Sequence, residues 1–163
     1  MYGPAGVGKS TRAELLQTEL SFTAHIGVDR IKRFISEFRT IPSHNKVSKR
    51  VINSMASEYL KNNISVIVEQ GMTSEEIIVL KEIASTNNAN FYVYRFEASR
   101  EILKERVEER TGRLNKPTIP QEEIDFLYNI YKDNDYPNTR AFDTEKLSSQ
   151  ETVDLILKDL EMN

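Results

Sequence analysis

The chain has 163 residues, of which 39% are hydrophobic and 29% charged, and its formal net charge is −3. These values fit one globular domain, and the acidic balance disfavours a protein that tracks along nucleic acid. The absence of cysteine excludes a disulfide scaffold, a thiolate zinc site and a cysteine nucleophile. With no apolar run long enough for a bilayer and no signal-peptide pattern, we expect a cytoplasmic protein without a membrane partner.

A phosphate-binding motif lies at the start of the chain. The pattern G-x-x-x-x-G-K-S/T is matched by Gly3, Pro4, Ala5, Gly6, Val7, Gly8, Lys9 and Ser10, and Thr11 follows. In such a loop the backbone N–H groups and the N-terminus of the next helix bind phosphate. We expect Lys9 to reach the β- and γ-phosphates of ATP and the Ser10 hydroxyl to bind Mg²⁺. Helical periodicity begins at once after the motif, as this function requires.

Only Met1 and Tyr2 precede this loop, although such a loop follows a buried strand. We therefore expect the first strand to be truncated, and our hypothesis is that further residues precede Met1 in the natural protein. If Met1 is the true start, low stability or a strand from a partner is expected.

The remaining elements are predicted from apolar periodicity and from turn and capping residues. Strands are expected at residues 22–27, 64–68, 89–96 and 139–143. Helices are expected at residues 29–38, 47–60, 73–86, 99–110 and 121–132, and from residue 148 onward, with Ser/Thr-x-x-Glu capping boxes at Thr73 and Ser148. Polar loops separate them at 39–46 and 111–120. Because strands alternate with helices, we predict one α/β domain over residues 1–163 with a parallel sheet of about five strands.

Two groups of charged residues follow the first of these strands. Asp29 lies beyond the carboxyl end of the strand, beside the one that feeds the phosphate loop, where ligands of open α/β sheets bind. Its carboxylate could accept the proton of an acceptor hydroxyl, or it could be the N-cap of the next helix. Lys32 and Arg33 could bind a phosphate or carboxylate of the acceptor, or could be solvated surface charges.

Further candidates come later in the chain. Glu69 ends the second strand and could hold a Mg²⁺-bound water or orient the acceptor, or could have no chemical role. Arg106 and Arg110 are one helical turn apart, and Arg113 lies just beyond. Taken alone, the arginines and the nearby glutamates favour simple ion pairs. The loop at 111–120 could be a mobile lid or an ordinary connection.

Together these residues resemble small P-loop kinases, a group that includes polynucleotide 5′-hydroxyl kinases, zeta toxins and gluconate or shikimate kinases. The resemblance covers nearly the whole chain. The segment Asp29-Arg30-Ile31-Lys32 is similar to a D-x-x-R element whose aspartate is the general base, with Lys32 in place of the arginine. Residues 106–110 are similar to the R-x-x-x-R of the lid, and Glu69 stands where relatives often carry aspartate.

The resemblance implies the three-layer α/β/α fold of the P-loop nucleoside triphosphate hydrolases. It further implies that Arg106 and Arg110 are catalytic residues of a lid at about 106–120 and that Arg113 contacts the nucleotide. Arg140 lies where such kinases often contact the adenine. Together with Lys9 and Asp29, the arginines at 106 and 110 form the predicted catalytic set.

The leading hypothesis is an ATP-dependent kinase that transfers the γ-phosphoryl group to a hydroxyl acceptor. One alternative is a nucleoside monophosphate kinase, in which Asp29 is structural and Arg30, Arg33 and Arg39 bind the acceptor. Another is a non-catalytic ATP-binding regulatory module. A GTPase is disfavoured because residues 115–118 read Asn-Lys-Pro-Thr, without the aspartate of the guanine-reading motif. Nucleic acid remains as a partner only as a 5′-end substrate, and the sequence indicates neither the acceptor nor the oligomeric state.

Overall fold

The computed structural model describes residues 1–37, 42–114, 119–132 and 136–161, apart from the side chains at 42, 43 and 112–114. Strands and helices alternate along most of this length, as the periodicity predicted. In chain order the elements are α1 (Lys9–Glu19), β1 (Thr23–Gly27), α2 (Val28–Lys32), α3 (Pro42–Lys61), β2 (Ser65–Glu69), α4 (Ser74–Thr86), β3 (Tyr94–Glu97), α5 (Arg100–Leu114), α6 (Gln121–Lys132), β4 (Arg140–Asp143) and α7 (Ser149–Glu161).

The strands form two parallel pairs that are joined through the first two residues. β1 pairs with β2, and β3 pairs with β4. Met1 reaches β2, because its amino group donates to the Val68 carbonyl and its carbonyl accepts from the Gln70 N–H. Tyr2 reaches β3 through a parallel bridge to Arg95. The order across the sheet is therefore β1, β2, residues 1–2, β3, β4, which confirms the predicted parallel sheet, with residues 1–2 at its centre.

An apolar slot lies in the sheet next to residues 1–2, on the side away from the phosphate loop. It has a volume of about 520 Å³ and lies between the facing edges of β2 and the segment before β3. Leu16, Val66, Leu80 and Tyr92 are among the residues that line it. The Met1 amino group is buried beside it, and this burial lowers the pKa of the amine to about 5. The apolar surroundings do not solvate the charged form of this amine, which is why its pKa is lowered.

Helices cover the sheet on two faces. On one face, α1 and α7 pack together and bury Ala13, Leu16, Val153 and Ile156 in the largest hydrophobic cluster. On the other face, α3 and α4 bury smaller clusters, including Ile52 and Ile77, against the strands. This three-layer α/β/α arrangement is the predicted fold class. Within the described ranges no helix is both long and apolar enough to cross a bilayer.

The element boundaries differ most from prediction in four places. α2 ends at Lys32 and not at residue 38, and the side chains of Phe34 and Ile35, which have helical spacing, lie beyond it and are exposed. α3 begins earlier, at Pro42, because proline is well tolerated in the first turn of a helix. α5 continues through Leu114, so residues 111–114 are helical and not loop. β3 spans only Tyr94–Glu97, the four residues that pair with β4.

Candidate functional site

The phosphate loop is held in its shape by close backbone packing. Gly3 has φ of +147°, and a Cβ there would lie 2.4 Å from the Phe96 carbonyl oxygen of β3. Gly8 has φ of +85°, and a Cβ there would lie 2.4 Å from a guanidinium nitrogen of Arg12. Val7, between them, is fully buried. A side chain at either glycine would displace its neighbours or strain the backbone, so the loop conformation requires glycine at both positions.

The loop ends at the N-terminus of α1, which can receive an anion. The N-cap residue is Gly8, which offers no side-chain oxygen, and the first turn of α1 has no acidic residue. The first N–H groups of the helix therefore lack a side-chain acceptor, and the helix dipole adds positive potential there. The Lys9 ammonium donates to the Pro4 carbonyl at 2.9 Å and so crosses the mouth of the loop. This is a cradle for the phosphates of a nucleotide.

Lys9 lies within the electrostatic influence of three other predicted site residues. Burial lowers the pKa of the Lys9 ammonium, and the charge of Arg110 lowers it further. The carboxylates of Glu69 and Asp29 act in the opposite direction and favour the charged amine. The charges of Asp29, Glu69 and Arg110, which come from three other elements, therefore all act on Lys9.

Glu69 and Ser10 meet at the end of β2. The Ser10 hydroxyl donates to Glu69 Oε1 at 3.0 Å. Burial alone raises the pKa of the Glu69 carboxyl, but His25, Lys9 and Ser10 together outweigh it and hold this pKa below its ordinary value. Glu69 is therefore an anionic carboxylate in a partly buried site.

These two oxygen ligands fit Mg²⁺, which is commonly bound by one or two protein oxygens together with waters and substrate phosphates. A cage of three or more acidic or histidine side chains does not occur in the described part of the chain. The Ser10 hydroxyl and the Glu69 carboxylate, directly or through water, would hold the ion beside the phosphate loop.

The predicted acceptor residues lie on α2, on the exposed side of the site. Asp29 is in the first turn of this helix, and its side chain is 74% exposed. The N-cap position belongs to Gly27, so the interpretation of Asp29 as an N-cap is wrong. Lys32 Nζ lies 4.0 Å from Asp29 Oδ1, and Arg33 is exposed at the end of the helix. The expectation that the strand before Asp29 neighbours residues 1–2 is also wrong, because β2 takes that place and β1 lies outside it.

The two arginines of α5 point to different partners. Arg110 is partly buried, and its Nε has no hydrogen-bond partner in the described part of the chain. Arg106 instead donates to Thr144, at 2.8 Å to Oγ1 and 2.9 Å to the carbonyl oxygen. The structure thus places Arg110 near Lys9 and ties Arg106 to the end of β4. The side chain of Arg113, like most of the predicted lid beyond it, lies outside the described residues.

Arg140 is not brought to the phosphate loop. It begins β4, in register with Tyr94, and its guanidinium forms an ion pair with Asp159 of α7. The loop approaches the sheet at Phe96, and it is Asp143, at the other end of β4, that lines a pocket together with Pro4. Arg140 lies three positions before Asp143 in the strand, which places their Cα atoms about 10 Å apart. The predicted adenine contact is therefore not supported by the position of Arg140.

Sequence reasoning missed two buried polar residues of this region. Arg12 is buried, and its guanidinium donates to Thr152 Oγ1, to the Leu147 carbonyl and to the Gly8 carbonyl. These hydrogen bonds hold the phosphate loop against the start of α7. His25, assigned only to a strand, lies beside Glu69 with its Nε2 3.7 Å from Glu69 Oε2. An arginine at a core-facing position of α1 and a histidine inside an apolar strand were the available signals.

Solved structures with this fold include several kinases. A protein from Chloroflexus aurantiacus that is provisionally described as a kinase is 17% identical, with a TM-score of 0.76 over 99% of this chain and 98% of its own. The gluconokinase of Sinorhizobium meliloti 1021 is 17% identical, with a TM-score of 0.70 over 99% and 93%. The APS kinase of Mycobacterium tuberculosis, solved with AMPPNP and APS, is 16% identical, with a TM-score of 0.70 over 98% and 94%.

At these identities the likeness establishes the P-loop kinase-like fold. No curated protein sequence matches the chain significantly. The family model described as AAA domain (AAA_33) matches residues 1–128, which include the phosphate loop, Asp29, Glu69 and Arg110. Because this match covers most of the 163 residues, the chain belongs to the AAA domain family.

Proposed function

We propose that the protein is a phosphotransferase that moves the γ-phosphoryl group of ATP to a hydroxyl acceptor. The observation that carries the proposal is the setting of Lys9, which lies at the mouth of an anion-binding loop and is influenced by Glu69, Asp29 and Arg110 together. A cation for the transferred group, a metal-binding carboxylate, a free carboxylate and a second cation are the groups that phosphoryl transfer requires.

On the donor side, the loop and the first turn of α1 bind the phosphates of ATP through backbone N–H groups. Lys9 leaves the Pro4 carbonyl and pairs with the β- and γ-phosphate oxygens. Ser10 and Glu69 would hold Mg²⁺, and the ion would neutralise charge on those oxygens. Because Glu69 is kept ionised by its neighbours, the metal site needs no proton loss when the ion binds.

On the acceptor side, Asp29 is exposed and free to meet a substrate hydroxyl. The hydroxyl oxygen forms a bond to the γ-phosphorus while the bond from that phosphorus to the β,γ-bridging oxygen breaks, and ADP leaves. The hydroxyl proton passes to Asp29. Lys32 and Arg33, which follow on α2, bind an anionic group of the acceptor.

Arg110 stabilises the transferring group. Its buried Nε has no hydrogen-bond partner among the described residues, and its charge lowers the pKa of Lys9. An arginine in this position can donate to the equatorial oxygens of the phosphoryl group, where negative charge is spread in the transition state. This role requires no movement of Arg106 away from Thr144.

A nucleoside monophosphate kinase is a weaker candidate. Of the arginines that could bind a phosphate acceptor, Arg30 forms an ion pair with Glu14 at 2.7 Å, and residue 39 lies outside the described part of the chain. Among the described arginines this leaves Arg33, and one arginine offers few hydrogen bonds to a dianionic phosphate. A non-catalytic ATP-binding module would leave Asp29 and Arg110 without a role.

The test is transfer of labelled phosphate from Mg-ATP to a panel of acceptors, with Lys9→Ala as the blank. The panel contains sugars and sugar acids, nucleosides, nucleoside monophosphates, APS and 5′-hydroxyl oligonucleotides, because fold neighbours include a gluconokinase, an APS kinase and a deoxyadenosine kinase. We expect transfer to a hydroxyl. Transfer to monophosphates alone would promote the weaker candidate, and ATP binding with no turnover across the panel would favour the regulatory module.

A further inference from the structure

A buried histidine lies next to the metal-binding carboxylate of the site. His25 is the middle residue of β1, and its side chain is only 1% exposed. Both ring nitrogens are buried without a hydrogen-bond partner in the described part of the chain. A buried polar ring without a partner costs free energy, so such a residue is retained in a fold at a cost that a hydrophobic side chain would avoid.

The carboxylate of Glu69 is placed between this ring and the phosphate loop. Glu69 Oε2 is 3.7 Å from His25 Nε2, while Glu69 Oε1 accepts the hydrogen bond of Ser10 at 3.0 Å. The register of the two strands explains the approach, because Gly27, two residues after His25, is paired with Glu69. At 3.7 Å, the Nε2 and Oε2 atoms are just beyond hydrogen-bond distance.

Gly27 leaves the room in which the two side chains meet. A Cβ at this position would lie 2.9 Å from Glu69 Oε2 and 3.7 Å from His25 Nε2. The Gly27 φ is negative, so the glycine is not required by a left-handed backbone. Space for the Glu69 carboxylate is therefore the structural reason for glycine at this position.

We propose that His25 is a positioning residue, whose Nε2–H donates to Glu69 Oε2 and so keeps Glu69 Oε1 directed at Ser10 and the metal. The proposal rests on the proposed function in one respect: it takes Ser10 and Glu69 as the residues that hold Mg²⁺. The histidine acts as a hydrogen-bond donor and touches neither nucleotide nor metal. Donors behind a metal ligand fix its orientation, and their removal typically weakens metal binding about 10–100-fold.

The test measures how strongly Mg²⁺ promotes ATP binding, which needs no acceptor. Calorimetric titrations of ATP over a range of Mg²⁺ concentrations give the Mg²⁺ concentration for half-maximal tightening. We expect His25→Leu to raise this concentration about tenfold or more. His25→Gln, whose amide N–H can replace Nε2–H, should recover most of the loss. Ile67→Val, a change in the buried β2 residue paired with His25, is the control for packing and should leave the concentration unchanged.

A double-mutant cycle assigns the effect to Glu69. When Glu69 is already replaced, in Glu69→Gln, the further change His25→Leu should alter the Mg²⁺ dependence little, because the positioned carboxylate is gone. Equal effects of His25→Leu with and without Glu69 would overturn the proposal, as would a wild-type Mg²⁺ dependence in His25→Leu. If His25→Leu does not fold, the comparison of His25→Gln with wild type decides: a shift as large as that of Glu69→Gln overturns the proposal.

Failure of the metal site that the proposed function assumes has a different signature, and failure of phosphoryl transfer itself is read separately from the acceptor panel. If the metal site is wrong, wild-type protein would bind ATP with no dependence on Mg²⁺, or not at all. If wild-type binding depends on Mg²⁺ and on Glu69 but not on His25, only the role of the histidine is wrong.

Discussion

The two sides of the phosphate loop are built differently. On the donor side, the Ser10 hydroxyl donates to Glu69, the charge of Glu69 acts on Lys9, and the Glu69 side chain is 12% exposed and lies 3.7 Å from His25. On the acceptor side, Asp29 is 74% exposed, with Lys32 as a distant partner. Charged groups out of water need partners within the protein, whereas solvated ones do not. The donor side is therefore fixed by contacts within the fold, whereas the proposed acceptor side is open to solvent.

The largest effect should follow from breaking the donor side. Lys9→Ala removes the cation that faces the transferring phosphate, and we expect turnover to fall by about 10³-fold or more. Lys61→Ala, at the exposed end of α3, is the control and should behave as wild type. Phosphate transfer from labelled ATP is the measurement. Normal turnover in Lys9→Ala would remove the assignment of the loop.

A substitution on the acceptor side should lower turnover without affecting ATP binding on the donor side. Asp29→Asn removes the proton acceptor but keeps the shape of the side chain, so turnover should fall by about 10²–10⁴-fold while ATP binding persists. Asp154→Asn, at an exposed position of α7, is the matched control. Rates and ATP affinity are measured on the same preparations. An unchanged rate would leave Asp29 as a surface residue of α2.

The two arginines of α5 sharpen the comparison, because only one lies near Lys9. Arg110→Ala should lower kcat by about 10²-fold with little change in ATP affinity, since its contact is made to the transition state. Arg106→Ala should mainly lower the free energy of unfolding, by about 1–3 kcal/mol, through the lost bonds to Thr144. Steady-state kinetics and chemical denaturation separate the two effects. A larger loss of kcat in Arg106→Ala would reverse this assignment.

The smallest effect concerns stability alone. Fusing a segment of about four Val and Ile residues to Met1 should fill the apolar slot and pair with the Ser65–Val68 edge of β2. We expect the free energy of unfolding to rise by about 2 kcal/mol or more and Tm by about 4–8 °C. A Gly-Ser segment of the same length is the control. Equal thermal unfolding of the two fusions would show that the slot does not accept a strand.

The gain should also depend on pH. The folded pKa of the Met1 amine is about 5, below its ordinary value near 8. An unfolded chain below pH 8 holds a proton that the folded chain sheds, so the amine penalises folding fully below pH 5 and not at all above pH 8. An amide in its place carries no such penalty. The stabilisation by the fusion should therefore be larger at pH 6 than at pH 9.

Much of the fold could be predicted from local patterns. The Ser148 capping box forms as expected, because both of its hydrogen bonds join residues three apart in the chain. The end of α2 could not be predicted in the same way. Phe34 and Ile35 have helical spacing, but no neighbouring element covers them, and without burial the periodicity alone does not maintain a helix.

The candidate site was predicted only in part, because local patterns indicate the phosphate loop but not which distant residues lie beside it. The phosphate loop is contiguous, so its motif carries its own geometry. Glu69 and Arg110 were found through resemblance, and their proximity to Lys9 depends on which strand lies beside which. The surroundings of Arg140 could not be predicted, because the place of a residue in the chain does not say at which end of a strand it lies.

The sequence by itself determined the phosphate loop, the alternation of strands and helices, and the parallel α/β class, because each depends on residues close together in the chain. Only the tertiary structure decided that β2 lies next to residues 1–2, that Arg106 binds Thr144 while the charge of Arg110 acts on Lys9, and that His25 lies beside Glu69. These are contacts between residues distant in sequence. They are set by how the strands pack and by the need of buried charges for partners, which no local pattern records.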